Sequence, residues 1–319
     1  NKNEAHDRIK KLRKEINHHR YLYHVLDRQE ISDAALDSLK RELVELEEEY
    51  PDLITKDSPT QRVSGKALAR FKKIRHTIPM LSLNDAFSEN EFSEWETRIQ
   101  KIIQKKAEYF AELKIDGFAV SLMYENGVLK TASTRGDGAT GEDVTENVKT
   151  IESVPLALHN PADHKHEREV EKLIKEFPAA GRSTEHIPHR IEIRGEIYMT
   201  KKVFERINRE QKKKKLPEFA NPRNIAAGSV RQLDPKITAS RKLAFLAYDV
   251  AGNIGVETHA EEHALATLLG CPTAEARVCK NKTEVMHFWN HVLRVREKLP
   301  FLIDGIVVQV NSGKEFSRL

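Results

Sequence analysis

The feature that most constrains this chain is a change of hydrophobic period along its length. Between about Glu4 and Tyr50, first Ile9, Leu12, Ile16 and Tyr23, then Leu36, Leu39, Leu43 and Leu46 recur at helical spacing. The polar break Asp27-Arg28-Gln29 splits this stretch into two helices; Ser32 and Asp33 offer capping oxygens to the second, and Pro51 closes it. From Tyr109 onward the apolar residues come in short runs, at 109–115, 119–124 and 128–134, then at 190–199, 243–250 and 303–310. Asn126-Gly127 between two of these runs is a hairpin signature. Helical spacing also marks 89–106, 201–213, 259–269 and 282–299. Strands that do not alternate regularly with helices predict an α+β fold with largely antiparallel sheets, preceded by a small helical unit.

The segment 52–82, broken by Pro59, Gly65 and Pro79, reads as a tether between that unit (1–65) and a larger body (66–319). Residues 159–189 are charged and histidine-rich, and read as a surface excursion holding one short helix near 167–177. With 319 residues and 39% hydrophobic content the chain can bury a core. It has no apolar run of about 18 residues, and Asn1-Lys2-Asn3-Glu4 opens no apolar leader, so a cytoplasmic protein without a membrane span is expected.

Fifty-three basic against 49 acidic residues leave a net charge of only +4, so any nucleic-acid contact must come from local patches. The Lys212–Lys215 run reads as a solvated helix end. Cys271 and Cys279 are too few for a disulfide framework or a four-ligand zinc site. Neither His18, His19 and His24 nor the excursion histidines (159, 164, 166, 186, 189) make a metal site, and no metal-ligating residues are assigned.

Chemistry concentrates in Glu112-Leu113-Lys114-Ile115-Asp116-Gly117. In a strand, Glu112, Lys114 and Asp116 project from one face while Leu113 and Ile115 enter the core. Such a lysine can be a nucleophile in a nucleotide pocket, although attack needs the neutral amine, so arginines or a metal must offset the two carboxylates. The same residues also suit a salt-bridged exposed strand face. Other stretches weigh toward a site. Thr134 to Asp143 packs three glycines into a polar turn, and Ile191 to Glu196 delivers Glu196 from an apolar-backed strand. Phe219 to Arg231 sets Arg223 and Arg231 around a small-residue turn, and Ile303-Asp304-Gly305 brings another Asp-Gly onto a strand.

Together with Arg20 to Asp27, Ile31-Ser32-Asp33, Asp57 to Val63 and Met80-Leu81-Ser82-Leu83, these motifs resemble the amino-terminal part of bacterial NAD⁺-dependent DNA ligases over essentially the whole chain. The resemblance implies a helical domain that binds nicotinamide mononucleotide, followed by a nucleotidyltransferase (ATP-grasp-like, antiparallel-sheet) adenylation domain. It implies that Lys114 attacks the α-phosphorus of NAD⁺, with Asp116 in the essential lysine motif. Glu112 would face adenine beside Ser82 and Leu83, and Arg135 and Glu196 would lie near the ribose. Tyr23, His24, Asp33 and Asp37 would contact the nicotinamide side, where a ring and carboxylates suit a cationic pyridinium. Arg223, Arg231 and Arg296 would handle phosphates or the DNA backbone. Magnesium (or manganese) would assist, and the partner would be nicked double-stranded DNA, held weakly by a monomer of this length.

Two positions depart from the family pattern. Leu36 stands where a tyrosine is expected, removing a nicotinamide-side contact. Gln309 stands in the cofactor site where a lysine is expected near the AMP phosphate, so adenylation or phosphodiester formation would be slowed. The family continues beyond the position of Leu319 into an oligonucleotide-binding fold, a four-cysteine module that would hold zinc, helix-hairpin-helix repeats and a terminal interaction domain. Two other readings are an ATP-dependent ligase or capping-type nucleotidyltransferase, which the helical module argues against, and a catalytically impaired DNA-binding module marked by Gln309.

Overall fold

The computed structural model describes residues 2–63, 70–164, 167–252 and 254–319. The expected boundary at 65/66 and His166 lie outside the described residues, as do the side chains of His164 and His186. Two helices open the chain, α1 (Lys2–His24) and α2 (Asp33–Glu49). Ile9, Leu12, Ile16 and Leu43 form their own small core, flanked by Leu36, Leu39 and Leu46, which are the residues whose spacing predicts the helices. The Ser32 side chain caps α2 by accepting from the Ala35 N–H at 3.2 Å.

Residues 52–63 of the tether are more ordered than their composition suggests, because their polar side chains find buried partners. The tether forms 3₁₀ turns at Pro51–Leu53 and Pro59–Val63. The Ser58 hydroxyl donates to Glu47 of α2 at 2.7 Å. Arg62, itself buried, donates to the carbonyls of Lys149, Ile151 and Val154 at 3.0, 2.7 and 2.8 Å. Nearby Arg20 pairs with Glu152 at 2.5 Å, and Tyr21 enters the body's main core. The helical pair is thereby seated on the turn 149–154.

The body runs β1 (Lys73–Arg75), α3 (Glu89–Ile103), β2 (Tyr109–Ile115), β3 (Phe118–Glu125), β4 (Val128–Thr134), β5 (Thr140–Glu142), α4 (Thr145–Lys149), α5 (Arg168–Glu176) and α6 (Pro178–Ser183). It continues through β6 (Arg190–Tyr198), α7 (Lys201–Lys213), α8 (Pro222–Val230), α9 (Pro235–Ser240), β7 (Ala244–Ala251), α10 (His259–Leu268), β8 (Ala276–Cys279), α11 (Lys282–Val295), β9 (Ile303–Val310) and α12 (Gly313–Phe316). The strands pair as β4-β3-β6-β7, β8-β2-β9 and β1-β5, antiparallel in every ladder, as an α+β fold requires. At the β3–β4 hairpin Asn126 and Gly127 both take positive φ, 50° and 74°, the twist that a tight hairpin needs.

Two cores sit behind the two larger sheets. Val120, Leu122, Tyr124, Ile193, Ile197 and Phe245 centre the first, and Tyr109, Ala111, Leu113, Phe288 and Val292 the second. Truncating a side chain as enclosed as Phe288 to alanine should cost about 3–5 kcal/mol.

Several expectations are corrected. The excursion 159–189 is not a surface loop with one helix. It holds α5 and α6, and Val170 and Ala180 are buried in the main core. His159 is not a solvated histidine either, since its ring stacks on Tyr21 at 4.8 Å. The small-residue turn around Ala226-Ala227-Gly228-Ser229 is helix α8, begun by Asn221, whose side chain accepts from the Asn224 N–H. The helix expected over 89–106 ends at Ile103 because Gln104 turns left-handed. That over 282–299 ends at Val295 and gives way to a 3₁₀ turn, Arg296–Lys298.

Candidate active site

Strand β2 separates two environments by alternation alone. Tyr109, Ala111 and Leu113 pack into the second core, so Phe110, Glu112 and Lys114 turn the other way. Phe110 meets the His263 ring of α10 edge-on at 5.4 Å. At Glu112 the salt-bridged exposed face allowed by sequence does not form, because Glu112 is only 3% exposed. Its Oε2 has no hydrogen-bond partner. Burial, then the neighbouring carboxyls of Asp249 and Glu262, push the Glu112 carboxyl up to about 8.

Lys114 lies at the mouth of the same face. Its ammonium contacts Asp304 Oδ2 at 3.0 Å, a partner brought alongside by the pairing of Lys114 with Gly305 on β9. The ladder slips one residue between Lys114 and Ile115, and such a bulge re-aims the strand end. Arg223, from the first turn of α8, reaches Asp116 Oδ1 at 3.4 Å and Asp304 Oδ2 at 3.9 Å. Two cations and two carboxylates thus form one linked group. Burial and then Asp304 raise the Asp116 carboxyl above its ordinary value, against the opposing pull of Arg223 and Lys114.

Glu196 enters from β6. A Cβ at Gly117 would stand 2.4 Å from the Ile197 carbonyl oxygen and 2.8 Å from Glu196 Cγ, so only glycine lets the turn after Asp116 come this close to Glu196. Burial pushes the Glu196 carboxyl up to about 7, against Arg223, Lys114 and Arg135 and with Asp116. Arg135 heads the glycine turn, where Gly136 has φ 59° and a Cβ would meet the Thr140 carbonyl oxygen at 1.9 Å. His76 closes this turn from beneath, its Nε2 lying 3.1 Å from the carbonyl oxygens of Thr134 and Arg135.

Of the residues singled out by sequence, the fold therefore gathers Lys114, Asp116, Arg135, Glu196 and Arg223, with Glu112 deeper on the same face. Gln309 shares that face, but pairs with Phe110, four residues or roughly 13 Å along the strand from Lys114. Ser82 and Leu83 stand exposed in an irregular segment between Met80 and α3. Arg231 lies over the Phe118 ring at 5.4 Å and pairs with Glu142 at 3.3 Å, and Arg296 is a surface residue beside Glu297.

Tyr23, His24, Asp33 and Asp37 are on the helical pair. Among the described residues no hydrogen bond or ion pair joins them to the Lys114 group. Tyr23 is exposed and meets His24 edge-on at 4.9 Å. Burial, then Arg20, push the His24 imidazole down to about 3, so it is neutral at pH 7.

Sequence reasoning marked Ile303-Asp304-Gly305, an echo of Ile115-Asp116-Gly117, without giving Asp304 a role, and it missed Tyr248 and Asp249. Tyr248 is raised by burial and by Glu196, and Asp249 is raised to about 6 by burial and Glu262. Both owe their place to the β6–β7 pairing, and no local motif marks them.

The family model described as the NAD-dependent DNA ligase adenylation domain matches residues 68–171 and 168–319. The chain belongs to the NAD-dependent DNA ligase family. A second model, the DNA ligase-like N-terminal NAD⁺-binding domain, matches residues 2–64. A curated protein named DNA ligase, from Syntrophobacter fumaroxidans, is 48% identical over 97% of the chain, which spans 43% of that relative's length. Among solved structures, an ATP-dependent DNA ligase from bacteriophage T7 in complex with ATP aligns at 14% identity and TM-score 0.34, over 68% of this chain and 61% of that one. A structure titled Pmar-Lig_PreS3 aligns at 14% identity and TM-score 0.35, over 69% and 41%.

Glu112 presents a buried oxygen with no protein partner, the kind of group that a polar ring edge would satisfy. A magnesium cage is a different matter. No cluster of three His, Cys, Asp or Glu side chains suited to a metal occurs among the described residues.

Proposed function

We propose that this chain performs the self-adenylation step of an NAD⁺-dependent DNA ligase. The observation that carries the reading is the placement of Lys114 against Asp304 and Arg223 at the mouth of a face whose deeper carboxyl, Glu112, is unsatisfied. The Lys114 amine attacks the phosphorus that joins AMP to nicotinamide mononucleotide. A P–N bond forms, the phosphoanhydride P–O bond breaks, nicotinamide mononucleotide leaves with the electron pair, and the lysine loses a proton. Asp304, 3.0 Å away, is placed to orient the amine and to receive that proton. Arg223 and Arg135 balance phosphate charge, Glu196 and Asp116 stand on the ribose side, and Glu112, with Ser82 and Leu83, takes adenine. Magnesium, when bound, neutralises phosphate charge.

The helical unit (1–65) contributes Tyr23, His24, Asp33 and Asp37 to the nicotinamide side, and the body (66–319) carries the chemistry. Within the whole enzyme the AMP passes to the 5′-phosphate of nicked double-stranded DNA, with Arg231 and Arg296 on the backbone. We place that enzyme in the cytoplasm as a monomer.

Incubation with NAD⁺ and magnesium should add one AMP to the intact mass, and Lys114→Ala should abolish the addition. Labelling by ATP but not NAD⁺ would overturn the cofactor assignment.

A further inference from the structure

We propose that the exposed face of α7, continued by the turn that carries Arg296, is a docking surface for the sugar-phosphate backbone of duplex DNA. The first observation is where the charge sits. Residues 201–215 hold eight basic and two acidic side chains, a net of +6, whereas the whole chain carries +4. The remaining 304 residues, with 45 basic and 47 acidic, are therefore net negative at −2. The weak overall basicity hides strongly basic elements: α7 and, on α1, the stretch Arg8 to Arg20, where Arg8, Arg13 and Arg20 are paired with Glu42, Glu47 and Glu152.

The second observation is that the helix sorts this charge onto one side. Ile207 is buried, and Val203 and Phe204 pack against the main core. Lys202, Arg206, Arg209 and Lys213 are exposed at steps of four, three and four, which align on one helical stripe. At 1.5 Å per residue the stripe is about 16 Å long, or about five base-pair steps at 3.4 Å. Of these four only Arg206 has an ion-pair partner, Glu210 at 3.2 Å. Among the described residues no carboxylate pairs with Lys202, Arg209 or any of Lys212 to Lys215. A charge row in which three of the four cations have no carboxylate partner among the described residues fits a polyanion.

The third observation is continuity with the site. At one end of α7, the Lys201 N–H donates to the Pro300 carbonyl at 2.8 Å, and its ammonium to the Glu297 carbonyl at 3.0 Å, which seats the helix against the turn bearing Arg296 and Lys298. Beyond the lysine run, Asn208 holds Phe219 by two hydrogen bonds, 3.0 Å to its carbonyl and 2.9 Å from its N–H. That clasp ties the run's return directly to α8 and Arg223. The basic row is thus tied to the turn bearing Arg296 and to the segment that leads into α8 rather than carried on a free tail.

The choice of DNA over another polyanion rests on the ligase reading. The test is anisotropy of a labelled nicked duplex with the wild-type chain and with Lys202→Gln/Arg206→Gln/Arg209→Gln/Lys213→Gln, titrated between about 50 and 200 mM salt. Each lost phosphate contact should lower the slope of log K against log salt by about 0.9. The fourfold variant should lose roughly 3 to 4 units of slope and at least about tenfold in affinity at low salt, while AMP attachment from NAD⁺ is retained. Lys213→Gln alone, at an exposed helix end, should lose about one unit with an unchanged thermal transition. Substituting Lys10, Lys11 and Lys14 on α1 should leave the slope alone. Wild-type binding without salt dependence, an unchanged slope in the α7 variants, or an equal loss in the α1 control overturns the proposal. Displacement of the duplex by an acidic polypeptide but not by unlabelled DNA also overturns it, in favour of a protein partner. Failure of the ligase reading would show separately, as salt-sensitive DNA binding without AMP attachment.

Discussion

The junction between the helical pair and the body and the cleft around Lys114 bury the same kinds of charged residue with opposite results. At the junction burial alone would raise the Glu152 carboxyl, but Arg20, Arg62 and Lys40 outweigh it and bring it down to about 2. Arg62 spends its guanidinium on three backbone carbonyls. In the cleft burial prevails, and Glu112 and Glu196 rise to about 8 and about 7. The difference lies in supply. The junction surrounds one carboxylate with cations, whereas the Glu112 end of the cleft faces further carboxyls and leaves an oxygen unpaired. A carboxylate surrounded by cations makes a joint, and one held among further carboxyls makes a candidate ligand site.

The strongest way to break this contrast is to remove the junction's arginine. Arg62→Met keeps most of the side-chain volume but leaves three carbonyls and Glu152 short of a partner. The loss should be about 3–5 kcal/mol of stability, as for other broken buried charge networks, measured as a lower denaturant midpoint. A loss below about 1 kcal/mol would mean that water replaces the guanidinium at no great cost and that the joint is looser than its geometry.

The two regions should also respond to pH in opposite directions. Glu152 is lowered from 4.5, so its contribution is present above that value and disappears as pH falls through about 2. Glu112 is raised from 4.5, so its contribution is full below 4.5 and is lost as pH rises through about 8. Glu112→Gln keeps the shape without the ionisation. Between pH 5 and pH 8 the wild type should therefore lose stability relative to this variant by on the order of 3 kcal/mol, read from paired denaturation curves. Parallel curves would show that Glu112 already has a cationic partner.

The same contrast explains what could be read in the sequence. The helices of the lobe, the hairpin at Asn126-Gly127 and the Glu112/Lys114 face follow from local period and turn chemistry, so they were legible. The motif Asp57 to Val63 was visible, yet its purpose was not, because Arg62 acts on carbonyls some 90 residues away. Val170 and Ala180 were hidden in a charged stretch because two buried side chains cannot outweigh the polar surface of α5 and α6. Glu112 and Lys114 were placed on one face correctly, but alternation says nothing about depth, and depth is what separates a buried neutral carboxyl from an exposed ion pair.

The smallest expected effect tests whether the cleft lacks positive charge. Gln309 lies on the face of Glu112, beyond it from Lys114 along the strand. A lysine there would point its stem past Glu112 and its ammonium toward the same cleft. Gln309→Lys should raise the rate of AMP attachment about tenfold, equivalent to about 1.4 kcal/mol, in a single-turnover mass assay. It should also pull the Glu112 carboxyl down and flatten the stability loss toward pH 8, which ties the kinetic change to the same charge. An unchanged rate with a flattened pH curve would mean that Lys114, Arg223 and Arg135 already meet the phosphate's demand, so that glutamine suffices. A change in neither would place position 309 outside the cleft's electrostatic reach, and the contrast between cleft and junction would then rest on Glu112, Asp249 and Glu262 alone.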